Sequence, residues 1–360
     1  MNKFDYMQKY GYEQVIYMHD RYSGLKGIIC IHNTTLGPAL GGTRVWEYET
    51  EEDAVYDVMR LARGMTKKAA CAGLNLGGGK AVIIGNSKQL RKDTVRREAF
   101  WRAFGRYVES LGGRYITAED VGTTPDDMSL VRMETDHVLG LPTTSGDPSP
   151  FTAYGVYKGI KACLKETMGT SKLEGVCVAV SGVGHVGAAL CDLLHEEGAI
   201  LTIADIDEES VKRVQEKTGA KVVSPQEIYD VDCDVFSPCA LGAVINDDTL
   251  SRLKAKIIAG AANNVLSDSQ IHGTKLHEMG LIYAPDYVIN AGGLINVYQE
   301  KIGYNKEASM RAIDQIYDRV REIIVESQTT NTPTYLVADR MAERRIEMMR
   351  NINSIHIPND

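Results

Sequence analysis

The sequence predicts an α/β protein of two domains, a mixed α/β domain followed by a doubly wound domain of the Rossmann type. Three observations carry this. At 360 residues the chain exceeds one domain of ordinary size and suits two. Its texture changes at residues 140–150, which hold three prolines and two glycines between periodic segments. Beyond that junction short apolar strands alternate with helical segments, the pattern of right-handed βαβ units on a parallel sheet.

In chain order, residues 25–32 form a β-branched apolar run that suits a strand. Thr50 followed by Asp53 resembles a capping box, opening a helix whose buried stripe is Ala54, Val55, Val58, Ala62 and Met65. Residues 81–84 read as a strand. Residues 94–111 read as an amphipathic helix closed by Gly112 and Gly113. Thr124, Pro125 and Asp127 start another helix, with a cap and a proline at its first position. In the second half, strands at 176–180, 200–204, 235–236 and 257–259 alternate with helices at 186–195 and 211–218. Long helices follow at 308–327 and 335–351. The expected domains are 1–139, joined by the returning C-terminal helix 331–360, and 140–330.

Composition excludes several classes of function. Apolar residues at 44% and charged residues at 24% match a globular protein with a real core. A formal charge of −8 gives no general attraction to nucleic acid or anionic membranes. No run is long enough to span a bilayer, and the first residues do not form a secretory signal. The seven cysteines are widely spaced with apolar neighbours, as expected of reduced thiols in the cytoplasm. No metal site is expected.

The strand at 176–180 runs into Gly182, Val183, Gly184, His185, Val186 and Gly187, a full GxGxxG that continues as a helix. The first glycine permits a tight turn, the second lets backbone approach a pyrophosphate, and the third lets helix and strand pack closely. Unpaired amides at the helix start then face the phosphates. The next strand ends in Asp205, a carboxylate that can accept both ribose hydroxyls and repels a 2′-phosphate. NAD is therefore expected as cofactor rather than NADP. The same aspartate can as readily satisfy backbone amides of its own turn. His185 reads as a solvent-facing passenger.

Gly77, Gly78, Gly79 and Lys80 suggest a phosphate loop, but Leu74 and Ala81 stand where a Walker motif needs glycine and Ser or Thr. What remains is a lysine between three glycines and an apolar strand, with Lys68 twelve residues earlier at a helix end. A crowded, dry site and a second cation both favour the neutral amine, which makes such a lysine a base. Two solvated surface lysines are the plainer alternative. Glu119 and Asp120 end another apolar segment, where they either cap the next helix or face a cleft.

Longer segments carry a resemblance. TTLGPALGG from Thr34, LARGMTKKAACAGLNLGGGKAVIIG from Leu61, GRYITAEDVGTTPDDM from Gly113, PSPFTAYGVYKG from Pro148, SPCALGAVIND from Ser237 and YAPDYVINAGGLINV from Tyr283 resemble the Glu/Leu/Phe/Val dehydrogenase family across essentially the whole chain. The resemblance implies NAD-dependent, reversible oxidative deamination of an L-amino acid to its 2-oxo acid and ammonia, in the cleft between the domains of a homo-oligomer built through the first domain. It implies that Lys68 binds the substrate carboxylate, that Lys80 is the base activating water against the imine, and that Asp120 handles protons at the nitrogen. Gly41 would also bind substrate. Thr152 would meet the nicotinamide carboxamide, and Ala240 and Asn263 would line the cofactor site.

The resemblance places the side-chain pocket at Leu40, Ala118, Leu294 and Val297. All four are apolar, so a glutamate side chain would be left unpaired there, and a branched-chain amino acid is expected. The alternatives are an aromatic amino acid, or a sensor of NAD or an amino acid without turnover. The sequence departs from the branched-chain pattern at Leu294, where aromatic-acid relatives also carry leucine. Lys67 replaces the family's tyrosine, and the loop 141–150 is shorter than usual.

Overall fold

The computed structural model describes residues 2–141 and 146–352. Residues 142–145, part of the loop expected to be short, lie outside it. The chain divides into two compact units, Met1–Gly146 with Val297–Tyr304 and Ala342–Asp360, and Asp147–Asn296 with Asn305–Met341. The first boundary falls later than 139/140. Leu141 packs on the first unit's core and the Gly140 N–H donates to Glu300 Oε2 at 3.0 Å, so the loop's start stays with that unit. The C-terminal return falls at Ala342 rather than at 331, since Tyr335 packs on the second unit's core.

The first unit contains helices α1 (Lys3–Tyr10), α2 (Glu51–Cys71), α3 (Ser87–Lys92), α4 (Thr94–Glu109) and α5 (Pro125–Arg132). Its strands are β1 (Gln14–Asp20), β2 (Leu25–Asn33), β3 (Ala39–Leu40), β4 (Thr43–Trp46), β5 (Gly77–Ile84) and β6 (Tyr115–Ile116). The sheet runs β1-β2-β5-β3-β6, with β4 also paired to β5. Strand alternation sorts its two faces. Ile29, Ile31, Ala81 and Ile83 pack with Trp101 and Phe104 of α4, whereas Ile28, Cys30 and Val82 pack with Ala54, Val55, Val58, Met59 and Ala62 of α2. Met65 is only half-buried, and Met59 takes the expected place in the stripe.

The three glycines before Lys80 belong to β5 itself and not to a loop. A Cβ on Gly77 would lie 2.0 Å from the Asn33 carbonyl oxygen, and one on Gly78 2.1 Å from the Thr66 nitrogen of α2. The absent side chain at Gly78 lets the Ala62–Thr66 stretch of α2 rest directly on the strand.

The second unit carries strands β7 (Cys177–Ser181), β8 (Ile200–Ala204), β9 (Lys221–Val222), β10 (Val235–Pro238), β11 (Ile257–Ile258) and β12 (Ile282–Tyr283). They run in the order β12-β11-β10-β7-β8-β9 with every ladder parallel. Helices α6 (Ser149–Met168), α7 (His185–Glu196), α8 (Glu208–Thr218), α9 (Asp247–Leu250), α10 (Ser269–Glu278) and α11 (Asp286–Ile289) belong to this unit. They are followed by α12 (Gly292–Ile302), α13 (Lys306–Thr330) and α14 (Thr334–Ile352). The chain order reverses between β7 and β10, and the carboxyl ends flanking such a switch point are where doubly wound sheets bind ligands. Among the described residues no helix is long and apolar enough to cross a membrane, and all seven cysteines are free.

Candidate active site

Lys80 lies on the same strand face as Val82, the face covered by α2. On one side it registers with Cys30 of β2; on the other, the edge shared by β3 and β4 is interrupted at Gly41 and Gly42. A Cβ on Gly41 would lie 1.7 Å from the Gly79 oxygen, so only glycine lets the chain pass here. The Gly41 carbonyl also accepts a bond from the buried Tyr115 hydroxyl at 2.6 Å. Lys80 is 5% exposed, which rules out the solvated-surface alternative for this lysine, whereas Lys68 is only half-buried.

The charge in contact with Lys80 is an anion. Its Nζ lies 3.1 Å from Asp120 Oδ2. Asp120 follows β6 and does not cap α5; Thr124 and Asp127 form that capping box between themselves. The Asp120 N–H and carbonyl are both tied to the Thr123 hydroxyl, at 2.8 Å each. Its carboxylate is also bound by Arg44 Nε at 3.1 Å. Burial works against ionisation of Asp120, but the Lys80 and Arg44 charges outweigh it and hold the carboxyl below its usual range.

Arg44 escapes sequence reasoning, because a lone arginine in a short strand reads as a surface residue. It continues the chain of alternating charges: Nη1 reaches Asp57 Oδ2 on α2 at 3.1 Å, and Asp57 is held by the Tyr48 hydroxyl at 2.7 Å and by Arg60 at 3.5 Å.

Lys68 occupies the last turn of α2, two residues beyond the Thr66 contact with Gly78. Arg345 clamps that helix end from α14, donating to the carbonyls of Ala70 and Leu74 at 3.1 and 2.7 Å. Lys67 acts on a different neighbour, His32, which bonds Thr66 Oγ1 at 2.8 Å and the Tyr10 carbonyl at 3.0 Å. Burial, with smaller contributions from Arg63 and Lys67, pushes His32 down to about 4. Leu40 is buried in β3, where it registers with Gly78 and Ile116, and Ala118 is half-buried just past β6. Leu294 and Val297 stand one turn apart on α12.

In the second unit each glycine of the turn has a distinct environment. Gly182 adopts φ 101°, and a Cβ there would lie 2.5 Å from that of Ala240. A Cβ on Gly187 would lie 2.0 Å from the Gly182 oxygen, whereas one on Gly184 would meet nothing within 4 Å. Gly184 is the N-cap of α7, and no side chain caps that helix end. His185 is exposed, Val186 half-buried and Val183 buried. This is a cradle that an added methyl would partly fill, and it fits a dinucleotide phosphate. Ala240, just past β10, borders the turn.

Asp205 also serves its own turn. Its Oδ2 accepts the Val183 N–H at 2.7 Å and its Oδ1 that of Asp207 at 3.0 Å. Each oxygen keeps a second lone pair for a ribose hydroxyl. Thr152 lies in the first turn of α6, where it packs against Gly293. Asn263 Oδ1 accepts from Asn290 Nδ2 at 2.8 Å.

Two family models match: residues 12–137 fit the dimerisation domain of Glu/Leu/Phe/Val dehydrogenases, and residues 199–352 fit the Glutamate/Leucine/Phenylalanine/Valine dehydrogenase model. The chain belongs to the Glu/Leu/Phe/Val dehydrogenase family. It is 57% identical to the leucine dehydrogenase of Geobacillus stearothermophilus, the match covering 100% of this chain and 97% of that one. The L-tryptophan dehydrogenase of Nostoc punctiforme is 47% identical, over 95% of this chain and 96% of its own. The crystal structure of L-tryptophan dehydrogenase from that organism superposes with a TM-score of 0.85 at 45% identity, covering 97% of this chain and 99% of the other. As a Glu/Leu/Phe/Val dehydrogenase, this chain carries its pair of buried lysine and half-buried carboxylate in the domain whose family model is named for dimerisation.

Proposed function

We propose that the protein is an NAD-dependent leucine dehydrogenase, reversibly deaminating L-leucine, and with it valine and isoleucine, to the 2-oxo acid and ammonia. The observation that carries this reading is the pairing of buried Lys80 with half-buried Asp120 in a chain 57% identical to a leucine dehydrogenase over its whole length. Lys68 binds the substrate carboxylate and fixes the anionic end. Lys80 takes the proton from the water that attacks the imine, and Asp120 stabilises and relays the protons of the departing nitrogen. Leu40, Gly41, Ala118, Leu294 and Val297 receive an aliphatic side chain and offer no counter-charge to a second carboxylate.

When bound, NAD supplies the hydride acceptor. Gly182, Val183, Gly184, His185, Val186 and Gly187 hold its pyrophosphate, Asp205 its ribose, and Thr152, Ala240 and Asn263 its nicotinamide end. The free thiols suit a cytoplasmic enzyme, and the match of residues 12–137 to a dimerisation domain suits a homo-oligomer. Leu294 and the 47% identical L-tryptophan dehydrogenase favour a second reading, an aromatic amino acid as substrate.

Following NADH formation by absorbance with leucine, valine, phenylalanine and tryptophan in turn decides between them. Leucine is expected to exceed both aromatics in kcat/KM by about tenfold or more, the size of discrimination an apolar pocket provides. A preference for phenylalanine or tryptophan installs the second reading, and absence of NADH with every amino acid overturns both.

A further inference from the structure

Lys80 cannot by itself keep Asp120 compensated throughout a reaction. As a base it is uncharged in part of the cycle, and a carboxylate facing only a neutral amine in a buried site is costly. Arg44 removes that difficulty. Its guanidinium keeps its charge at every working pH, and its planar fork binds two carboxylates in fixed directions. Because Arg44 registers with Val82, its side chain shares the α2 face of the sheet with Lys80. There Nε engages Asp120 Oδ2 and Nη1 engages Asp57 Oδ2, both at 3.1 Å. Asp57 is in turn fixed by Tyr48 and Arg60, so the guanidinium is anchored to α2 and not merely attracted to Asp120. Lys80 and Arg44 share Oδ2, and among the described residues Asp120 Oδ1 has no hydrogen-bond partner. That leaves Oδ1 for the substrate.

We propose that Arg44 is a positioning residue of the deamination: anchored through Asp57, it keeps Asp120 ionised while Lys80 is neutral and directs Oδ1 to the substrate nitrogen. The inference rests on the function proposed above. The groups facing Asp120 are Lys80 from β5, Arg44 from β4 and Tyr115 from β6. Asp57 and Tyr48 lie behind Arg44, and Glu119 is the chain neighbour.

The test compares Arg44→Met and Arg44→Lys with wild type in two readouts. One is the pH profile of kcat/KM for leucine. The other is the titration of Asp120 by carbon NMR of carboxyl-labelled aspartate, with Asp120→Asn providing the assignment. In Arg44→Met the Asp120 midpoint and the acidic limb of the profile should both rise by about one pH unit or more, the usual effect of removing an adjacent arginine. Rate should recover in part on adding guanidinium ion, while the KM for NAD stays unchanged. Arg44→Lys should keep the midpoint near wild type yet lose kcat, because a point charge cannot hold both carboxylates in place.

If Arg44→Met slows turnover with both the midpoint and the limb unmoved, the residue is only structural and the proposal falls. Should Arg44→Met fail to fold, Asp57→Asn frees the same guanidinium from its anchor. It should lower kcat more than it raises the KM for leucine, and the reverse split overturns the proposal. A wild-type enzyme without deaminase activity refutes the proposed function instead, and the NMR titration still reports on Arg44.

Discussion

The three glycines of the nucleotide turn should respond to the same substitution in different ways. On Gly187 an added methyl meets the Gly182 carbonyl oxygen at 2.0 Å, a backbone atom that cannot rotate aside. Gly187→Ala should therefore destabilise the protein by about 3 kcal/mol, the upper part of the usual overpacking range. Gly182→Ala combines a backbone at φ 101° with a 2.5 Å approach to Ala240, and should cost a similar amount. Gly184→Ala meets nothing within 4 Å, so its stability should change by no more than about 0.5 kcal/mol.

Its effect should appear in binding instead. A methyl there keeps a phosphate oxygen away from the amides of α7, and losing one hydrogen bond to a charged group is worth about 1.5 to 3 kcal/mol, or roughly 10- to 150-fold in the Kd for NADH. Urea unfolding midpoints and fluorescence titration with NADH measure the two quantities separately. Wild-type affinity in Gly184→Ala, or wild-type stability in Gly187→Ala, refutes the assignment of the cradle.

Other consequences follow from the same geometry. Asp120→Asn leaves Lys80 and Arg44 without their shared anion and should destabilise the protein by about 3 kcal/mol near neutral pH, measured by denaturant unfolding. Asp120 has a lowered pKa in the folded state, so its stabilisation is complete above the unfolded value of about 3.9 and is lost as pH falls through the folded one. The difference between Asp120→Asn and wild type should accordingly shrink in strong acid and stay constant from mildly acidic to neutral pH. Asp205→Ala should weaken NAD binding about tenfold and narrow the preference for NAD over NADP, read by titration with each cofactor. Arg345→Met strips the donors from the end of α2 that carries Lys68. The KM for leucine should rise about two- to fivefold with little change in kcat, in proportion to a helix-end cation.

The nucleotide half was the more legible in sequence. Its central strands are largely buried and read as continuous apolar runs, so residues 200–204 coincide with β8 and residues 176–180 fall within one residue of β7, whereas the exposed two-residue edge strand β9 gives no such run. The first half hides its architecture. Strands of two residues such as β3 and β6 have no period to detect, and β5 starts in glycines that look like a loop until α2 is seen resting on them. The roles of Lys80 and Asp120 were suggested by the resemblance, but their 3.1 Å pairing depends on β5 and the end of β6, forty residues apart, meeting at the gap beside Gly41. Arg44 and Asp57 gave no signal, because partnership between single charges on a strand and a helix exists only in three dimensions. At Asp205 the sequence offered a ribose ligand and a turn residue with equal ease, and both of its oxygens do serve backbone amides of the turn.

The most direct measurement is turnover of L-leucine by wild type and Lys80→Ala, followed as NADH formation, with NADH affinity determined on the same preparations. A base in contact with the reacting water contributes about 10²- to 10⁴-fold, so Lys80→Ala should lose activity by that factor while binding NADH as wild type does. Turnover within tenfold of wild type would contradict the assignment of Lys80, and with it the chemistry assigned to the pair.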